Sequence, residues 1–178
     1  MFVDLGIPVL DLDKVGYQVI EPGSKGLAAL VEHFGEVILD GKKLNRARLA
    51  EICFASDDKT QQLNRIVHPL IWQEANRWQK NQRTAYTVIE ASALIESGGC
   101  DRVDSIVVVM AGMQVRKYRA LKRNNMIEKT FDAITARQCS DDQRLNIADY
   151  LIQNDDDMKA LKMEVNALHT KLAEHFGG

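Results

Sequence analysis

Two aspartates separated by a single residue, Asp11 and Asp13, are the first feature of this sequence that could do chemistry. They follow the apolar run 7–10 and precede a helical pattern over 13–20. A parallel strand delivers side chains in this way to the carboxyl edge of a sheet, where the ligand crevice of open α/β folds lies. Two carboxylates there could act as a general base and as an orienter of a hydroxyl group or a metal ion. The alternative is structural, because aspartate is also a favoured helix N-cap, and local features alone favour that alternative.

A basic cluster at 116–123 offers a second kind of chemistry. Within it, Arg119 and Arg123 are four residues apart and would share one helix face. Guanidinium groups suit phosphate oxygens because they form planar, charge-assisted hydrogen bonds. A solvated basic face is the alternative, and it is favoured when the cluster is taken in isolation. Nucleic-acid binding is a weaker option, because the patch is small and Tyr118 is the one aromatic residue interleaved in it.

Three further side chains are candidates because of their positions. Glu90 and Glu96 flank the end of a predicted strand and are candidate site acids, with exposed loop carboxylates as the alternative. His68 precedes Pro69 in an otherwise apolar helical pattern, and this position is more typical of a hydrogen-bonded structural histidine than of a catalyst. The histidines and cysteines show no metal-ligand spacing, so no protein-built metal site is predicted.

Composition limits the classes of protein to consider. A chain of 178 residues that is 46% hydrophobic can build a folded core. The net charge of −2 gives no global attraction to nucleic acid or to an anionic membrane, and no apolar run approaches the roughly 20 residues of a membrane span. The first residues lack the basic region of a secretory signal. Three widely spaced cysteines predict reduced thiols and a cytoplasmic location.

Hydrophobic periodicity predicts the elements that would position these side chains. Short apolar or β-branched runs at 7–12, 86–89, 105–110 and 150–152 are typical of parallel strands covered on both faces. Helical patterns fill the intervals, which indicates an α/β fold with a parallel sheet. The helical stretch that begins at Asp13 is too long for a simple crossover and predicts an inserted helical subdomain, 14–82.

Other local patterns indicate the bounds of individual helices. An apolar stripe at 27–34 predicts a helix that ends at Gly35, and residues 46–54 are predicted to form a short helix. Segment 2–6 is typical of the last turn of a helix with Gly6 past its C-cap. The acidic residues at 155–157 suit the start of the C-terminal helix.

Pro69 lies inside the longest helical pattern, 57–82. A proline within a helix removes a backbone donor and clashes with the preceding turn, so we expect either a kink or a second helix that begins at this residue.

Taken in order, the motifs resemble those of the dephospho-CoA kinase family. Segment 5–13 matches LG-x-x-V-x-D-x-D, and segment 63–69 matches LN-x-x-x-HP, the most specific single signature. Segment 93–98 resembles PLL-x-E-x-G, and segment 148–154 matches AD-x-x-I-x-N. The ordered set covers nearly the whole chain. Further matches are Glu21-Pro22-Gly23, Phe34-Gly35, the run from Gly41 to Arg46, Gln114 with Arg119 and Arg123, and Arg137-Gln138.

The resemblance implies a P-loop kinase fold, an α/β fold in which a parallel five-stranded sheet is flanked by helices. It implies a single kinase-like domain, 1–178, with a CoA-binding helical subdomain at 14–82 and lid-like helices at 112–147. The implied enzyme uses ATP and Mg²⁺ to phosphorylate the ribose 3′-hydroxyl of dephospho-CoA, the last step of coenzyme A synthesis. Its implied partner is therefore a small molecule and neither a membrane nor a nucleic acid.

The resemblance also implies roles for particular residues. Asp13 would be the base that orients or deprotonates the hydroxyl, and Asp11 would support it or the metal shell. Arg119 and Arg123 would neutralise phosphate charge as it moves, which is where such enzymes gain most of their rate. The remaining implied roles are substrate binding by His68 and Glu96 and nucleotide binding by Asn154.

The sequence also departs from the family pattern. The motif G-x-x-x-x-G-K-S/T, whose backbone amides and lysine hold nucleotide phosphates, does not occur in the 178 residues. Segment 23–26 has the wrong order for it and follows Pro22. We therefore expect a shortened copy, or a chain whose start was assigned too late, that lacks the first strand and the P-loop and has impaired ATP turnover. The alternative function is that of a non-catalytic protein that binds dephospho-CoA or CoA, or an interaction fragment. Ser92 and Glu90 also differ from the proline and aspartate usual in the family.

Overall fold

The structure, a computed structural model, describes residues 1–124 and 126–177. Its contacts divide the chain into two compact units. The helical unit is Pro8–Ala91, and the terminal unit, which holds both chain ends, is Met1–Ile7 together with Ser92–Gly178. Each unit contains one pair of parallel strands flanked by helices, so the predicted alternation of strands and helices is present in both.

The helical unit begins with the strand–helix junction that carries the two aspartates. Its first and last strands pair in parallel, and Asp11 lies opposite Glu90 in the ladder. A short antiparallel hairpin pairs Leu39 with Leu44. The elements are β1 (Val9–Asp11), α1 (Leu12–Gln18), α2 (Lys25–Phe34), β2 (Leu39–Asp40), β3 (Lys43–Leu44), α3 (Arg46–Phe54), α4 (Asp57–Lys80) and β4 (Val88–Glu90).

Each α-helix of this unit begins at a residue whose side chain accepts a backbone N–H of the first turn. These hydrogen bonds satisfy donors that have no partner within the helix, and they explain why the helices begin where the sequence changes from loop to periodic pattern. The four capping residues are Asp11, Ser24, Asn45 and Ser56.

The core of the helical unit lies between α2, α3 and α4. Leu30 and Ile38 are fully buried, and Leu49, Cys53 and Val67 complete the cluster. The apolar stripe predicted for α2 faces this core, as does the buried side of α3, whose bounds agree with the predicted helix 46–54.

A close approach brings the start of α2 against the end of α1. A Cβ on Gly26 would lie 2.1 Å from the carbonyl oxygen of Val19, closer than any side chain allows. Glycine is therefore required at this position by packing, in a segment whose Gly-Ser-Lys-Gly sequence could otherwise suggest a phosphate loop.

The longest helix, α4, continues through Pro69 from Asp57 to Lys80. The alternative of a second helix that begins at Pro69 was wrong. Val67 and Ala75 are buried on either side of the proline, and tertiary packing of an apolar face supplies most of a helix's stability in proteins. That packing offsets the single backbone hydrogen bond that proline removes.

The terminal unit is built on a second parallel pair. Val108 lies opposite Leu151 in this ladder. Near the chain start, Val3–Leu5 forms one turn of 3₁₀-helix that ends at Gly6 with φ +79°, which confirms the predicted helical end there. The elements are β5 (Val107–Met110), α5 (Met113–Asn124), α6 (Glu128–Thr135), α7 (Asp141–Ile147), β6 (Tyr150–Gln153) and α8 (Met158–Phe176).

The described residues do not form the single five-stranded parallel sheet that the resemblance implies. Their strands form three two-stranded sheets, of which the pairs β1–β4 and β5–β6 are parallel. The hairpin β2–β3 was not predicted, because strands of two residues are too short to show a hydrophobic period. The α/β class and its parallel pairing were predicted correctly.

Candidate active site

Asp11 ends β1 and is the N-cap of α1. Its Oδ1 accepts the backbone N–H of Lys14 at 3.0 Å, and its Oδ2 lies 3.1 Å from the ammonium of the same residue. The backbone hydrogen bond, followed by the side-chain contact with Lys14, lowers the pKa of Asp11 below its ordinary value. Asp11 is therefore ionised at neutral pH and held in place, which suits orienting a cation or a neighbouring group better than accepting a proton.

Asp13 is an exposed residue in the first turn of α1. The capping alternative therefore applies to Asp11, while Asp13 lies two residues into the helix, where the positive end of the helix dipole favours a carboxylate. Glu90, opposite Asp11, is exposed at the end of β4. The carboxyl ends of two adjacent parallel strands thus carry three acidic residues, which confirms the predicted placement of the aspartates at a strand-end edge.

His68 lies on α4 and is half-buried. Burial lowers the pKa of its imidazole, because a charged ring is less well solvated there. The ring is therefore neutral at physiological pH and able to both donate and accept a hydrogen bond. Its role in substrate binding stays a prediction.

Glu96, in the terminal unit, contacts other parts of the protein. Its Oε1 accepts the backbone N–H of Cys139 at 2.8 Å and lies 3.9 Å from the guanidinium of Arg144. Burial of the carboxyl alone would raise its pKa, but the hydrogen bond from Cys139 and the charge of Arg144 outweigh burial and lower the pKa. Glu96 is therefore an ionised residue that joins segment 92–98 to the residues just before α7, and its predicted contact with substrate is untested.

Arg119 and Arg123 lie one turn apart on α5 and differ in exposure: Arg123 is exposed and Arg119 is half-buried. The guanidinium of Arg119 donates to three consecutive carbonyl oxygens, through Nη1 to Asn154 and through Nη2 to Asp155 and Asp156 at 3.2 and 3.0 Å. The structure thus brings two of the predicted site residues, Arg119 and Asn154, into direct contact.

Asp155 was not identified from the sequence. Its Oδ1 accepts the backbone N–H of Gly112 at 2.6 Å, and its Oδ2 accepts the side-chain amide of Gln153. The hydrogen bond from Gly112 is the main cause of a lowered pKa at Asp155. The acidic run 155–157 was interpreted as a helix start, and that is correct for Asp157, which caps α8. In the sequence, the feature that could have indicated this contact with Asp155 is Gly112, a glycine just before α5.

The described residues, 1–124 and 126–177, contain no group of three or more His, Cys, Asp or Glu side chains arranged to hold a metal ion. None of the helices in that same part of the chain combines the length and the hydropathy that a membrane span requires.

Each unit has a pair of parallel strands flanked by helices, the α/β arrangement of many phosphotransferases. The helical unit carries carboxylates at strand ends and the terminal unit carries arginines on a helix, and both residue types are used in phosphoryl transfer. Residues 1–160 match the family model for dephospho-CoA kinase. Two curated relatives are both named dephospho-CoA kinase. The one from Mannheimia succiniciproducens is 32% identical over 176 residues, which cover 96% of this chain and 82% of the relative. The one from Aggregatibacter actinomycetemcomitans is 38% identical over 175 residues, which cover 95% of this chain and 84% of the relative. The chain belongs to the dephospho-CoA kinase family, and so to the transferases.

Solved structures support the fold. TT1252 from Thermus thermophilus superimposes with a TM-score of 0.85 at 22% identity, covering 96% of this chain and 87% of that one. Dephospho-CoA kinase from Campylobacter jejuni gives 0.67 at 18% identity, with 97% and 88% covered. At these identities the likeness shows an α/β fold shared with that kinase.

Proposed function

We propose that this protein transfers the terminal phosphoryl group of ATP to the ribose 3′-hydroxyl of dephospho-CoA, which gives coenzyme A, in the cytoplasm. One observation carries the proposal: Asp11 and Asp13 stand at the carboxyl end of a parallel strand, in a chain whose residues 1–160 match the family model. In phosphoryl transfer the protein does little covalent chemistry; it positions the reactants and stabilises the charge of the transition state.

Asp13 is the residue proposed to orient and deprotonate the 3′-hydroxyl. It is exposed in the first turn of α1, so a hydroxyl group can reach it from solvent. Asp11, fixed on both oxygens by Lys14, holds the start of α1 and keeps a negative charge beside the hydroxyl. This division of roles follows from the contacts of Asp11, whose lowered pKa makes it a poor proton acceptor.

The other proposed roles follow the family pattern. The helical subdomain, 14–82, binds the CoA portion of the substrate, with His68 as a neutral hydrogen-bonding group. The lid-like helices, 112–147, carry Arg123, whose exposed guanidinium is suited to phosphate oxygens. Glu96 and Asn154 complete the proposed substrate and nucleotide contacts.

Mg²⁺ fits the donor chemistry of the strand-end edge. Proteins usually hold this ion with one or two carboxylates and leave its other positions to water and substrate phosphates. Asp11 is the carboxylate that would hold it here, with Glu90 adjacent in the ladder and Asp13 left as the base. When bound, the ion would supply positive charge to the transferring phosphoryl group.

These 178 residues contain no G-x-x-x-x-G-K-S/T motif. We therefore propose that these residues bind dephospho-CoA, the phosphoryl acceptor, and that their turnover of ATP is impaired. The second candidate function, a non-catalytic protein that binds dephospho-CoA or CoA, is favoured by the same observation.

Calorimetry and a turnover assay separate the two functions. The protein expressed from its own gene is titrated with dephospho-CoA and with ATP, and its product is analysed for a 3′-phosphate by mass spectrometry. The control variant is Glu164→Gln, because Glu164 is an exposed acid on α8. Conversion of dephospho-CoA to coenzyme A that is lost in Asp13→Asn and kept in Glu164→Gln supports the kinase function. Binding of dephospho-CoA with no turnover supports the non-catalytic function, and no binding of either ligand contradicts both.

A further inference from the structure

The loop after β6 is attached to α5 at two points. The first is Arg119, whose guanidinium donates to the carbonyl oxygens of Asn154, Asp155 and Asp156. A guanidinium is a planar fork of donors, so binding three successive carbonyl groups fixes the path of the loop as well as its position.

The second point lies at the start of α5. The N–H of Gly112 donates to Asp155 Oδ1 at 2.6 Å, and the amide of Gln153 donates to Asp155 Oδ2. Gly112 also lies close enough to Asp155 that a Cβ on it would be 3.3 Å from Oδ1. The two attachment points are seven residues apart, one just before α5 and one within it, so together they fix the loop against the first two turns of the helix.

Hydrogen bonds within the protein fix the backbone of Asn154. Its N–H donates to the carbonyl oxygen of Met110 at 2.7 Å, and its own carbonyl oxygen accepts from Arg119. Both of its backbone polar groups are therefore engaged within the protein. Within the part of the chain that the structure describes, the carboxamide of Asn154 makes no hydrogen bond, so its donors and acceptor remain for a ligand.

We infer that Arg119 and Asp155 are positioning residues that hold the carboxamide of Asn154 in place for the nucleotide. This inference rests on the proposed function for the identity of the ligand. It assigns Arg119 to the protein's own loop and leaves Arg123, which is exposed on the same helix, as the arginine for phosphate. The positioning role acts in the free protein, before any nucleotide is bound, whereas phosphate binding would act only in the complex with nucleotide.

Hydrogen exchange in the free protein separates these two roles, because no phosphate is bound there. The conservative variant Arg119→Lys adds a test of the hydrogen-bonding fork, since an ammonium keeps the charge but lacks the fork. The protein expressed from its own gene is compared with Arg119→Lys, Arg119→Ala and Asp155→Ala. Lys171→Ala, at an exposed position on α8, is the control. Hydrogen exchange of amides 153–157 is measured in the free protein, and KM for ATP and kcat are measured with dephospho-CoA saturating.

We expect both Arg119 variants to speed exchange at 153–157 and to raise KM for ATP, each on the order of tenfold, as the loss of about one net hydrogen bond would do. The value of kcat should stay within about twofold. Asp155→Ala should also speed exchange at 153–157 and raise KM for ATP, although this substitution alters no residue of α5. Rescue of KM by Arg119→Lys, unchanged exchange in Arg119→Ala, or a fall in kcat at constant KM would each overturn the inference. Should the unaltered protein bind no nucleotide, the proposed function fails in its ATP part, while the exchange comparison still decides whether Arg119 holds the loop.

Discussion

The carboxylate of Asp11 is bound on both oxygens by Lys14, through the backbone N–H at 3.0 Å and the ammonium at 3.1 Å. The two interpretations of this position, helix cap and strand-end acid, are therefore compatible. The cap holds the carboxylate ionised at the carboxyl end of β1, and the same bonds fix the first turn of α1, which carries Asp13.

Replacement of Asp11 by asparagine should destabilise the protein in a pH-dependent way. The folded pKa of Asp11 is lowered, so its ionisation contributes stability that is present above the unfolded value of about 3.9 and is lost as pH falls through the folded value. Urea unfolding at pH 7 should show a lower midpoint for Asp11→Asn than for the unaltered protein, with a smaller difference at pH 3. The control Glu164→Gln should show neither effect. Equal differences at both pH values would mean that the charge of Asp11 contributes nothing to stability.

Asp13→Asn should remove most of the turnover while the fold is kept. General base catalysis typically contributes about 10²–10⁴-fold, so we expect a fall in kcat of that size with KM for dephospho-CoA changed little. Steady-state kinetics over pH 6 to 9 measure both constants. Activity of Asp13→Asn within about threefold of the unaltered protein would exclude proton transfer to this carboxylate as an important source of rate.

Local patterns predicted the elements well, because they depend on residues near in sequence. The bounds of α3 agree with the predicted helix, and the caps and glycines that bracket α2 follow from its own sequence. The position of Asp11 and Asp13 at the carboxyl end of a strand could also be predicted, because it depends only on one strand and the helix after it. These are interactions over a few residues, where spacing specifies geometry.

Long-range polar contacts could not be predicted in this way. Arg119 and Asn154 are 35 positions apart, and Gly112 and Asp155 are 43 apart. Nothing in the spacing of an arginine on a helix distinguishes a phosphate from a backbone carbonyl as its partner, because both are oxygen acceptors. The sequence therefore indicated which residues could carry chemistry, and the structure was needed to show that Arg119 contacts the protein itself.

His68 should make the protein sensitive to mild acid. Burial lowers its folded pKa below the unfolded value of about 6.5, so the unfolded chain binds more protons between the two values. Stability is therefore full above about pH 6.5 and falls as pH decreases toward the folded pKa. The loss of stability between pH 8 and pH 5.5, measured by urea unfolding, should be smaller in His68→Gln than in the unaltered protein.

The control for this prediction is His175→Gln, since His175 is exposed on α8. That variant should keep the acid sensitivity of the unaltered protein. The same acid sensitivity in His68→Gln would assign the effect to other groups.

Gly26→Ala tests the packing of α2 against the end of α1. Alanine is favoured over glycine within a helix by about 1 kcal/mol, so an unhindered site would gain stability. At Gly26 the new Cβ would lie 2.1 Å from the carbonyl oxygen of Val19, and a backbone group cannot rotate away. Overpacking costs about 1–3 kcal/mol, which offsets or exceeds the gain from alanine, so we expect a net loss of up to about 2 kcal/mol in the free energy of unfolding.

Gly16→Ala is the matched control for Gly26→Ala, because its Cβ would meet the end of a flexible side chain, Ile71 Cδ1, at 3.3 Å. That variant should be as stable as the unaltered protein or up to about 1 kcal/mol more stable. Urea unfolding of both variants measures the contrast. Equal changes in the two would show that helix propensity decides the outcome. Opposite changes would show that Gly26 is needed for the close approach of α2, and therefore that the Gly-Ser-Lys-Gly segment is shaped by packing within the helical unit.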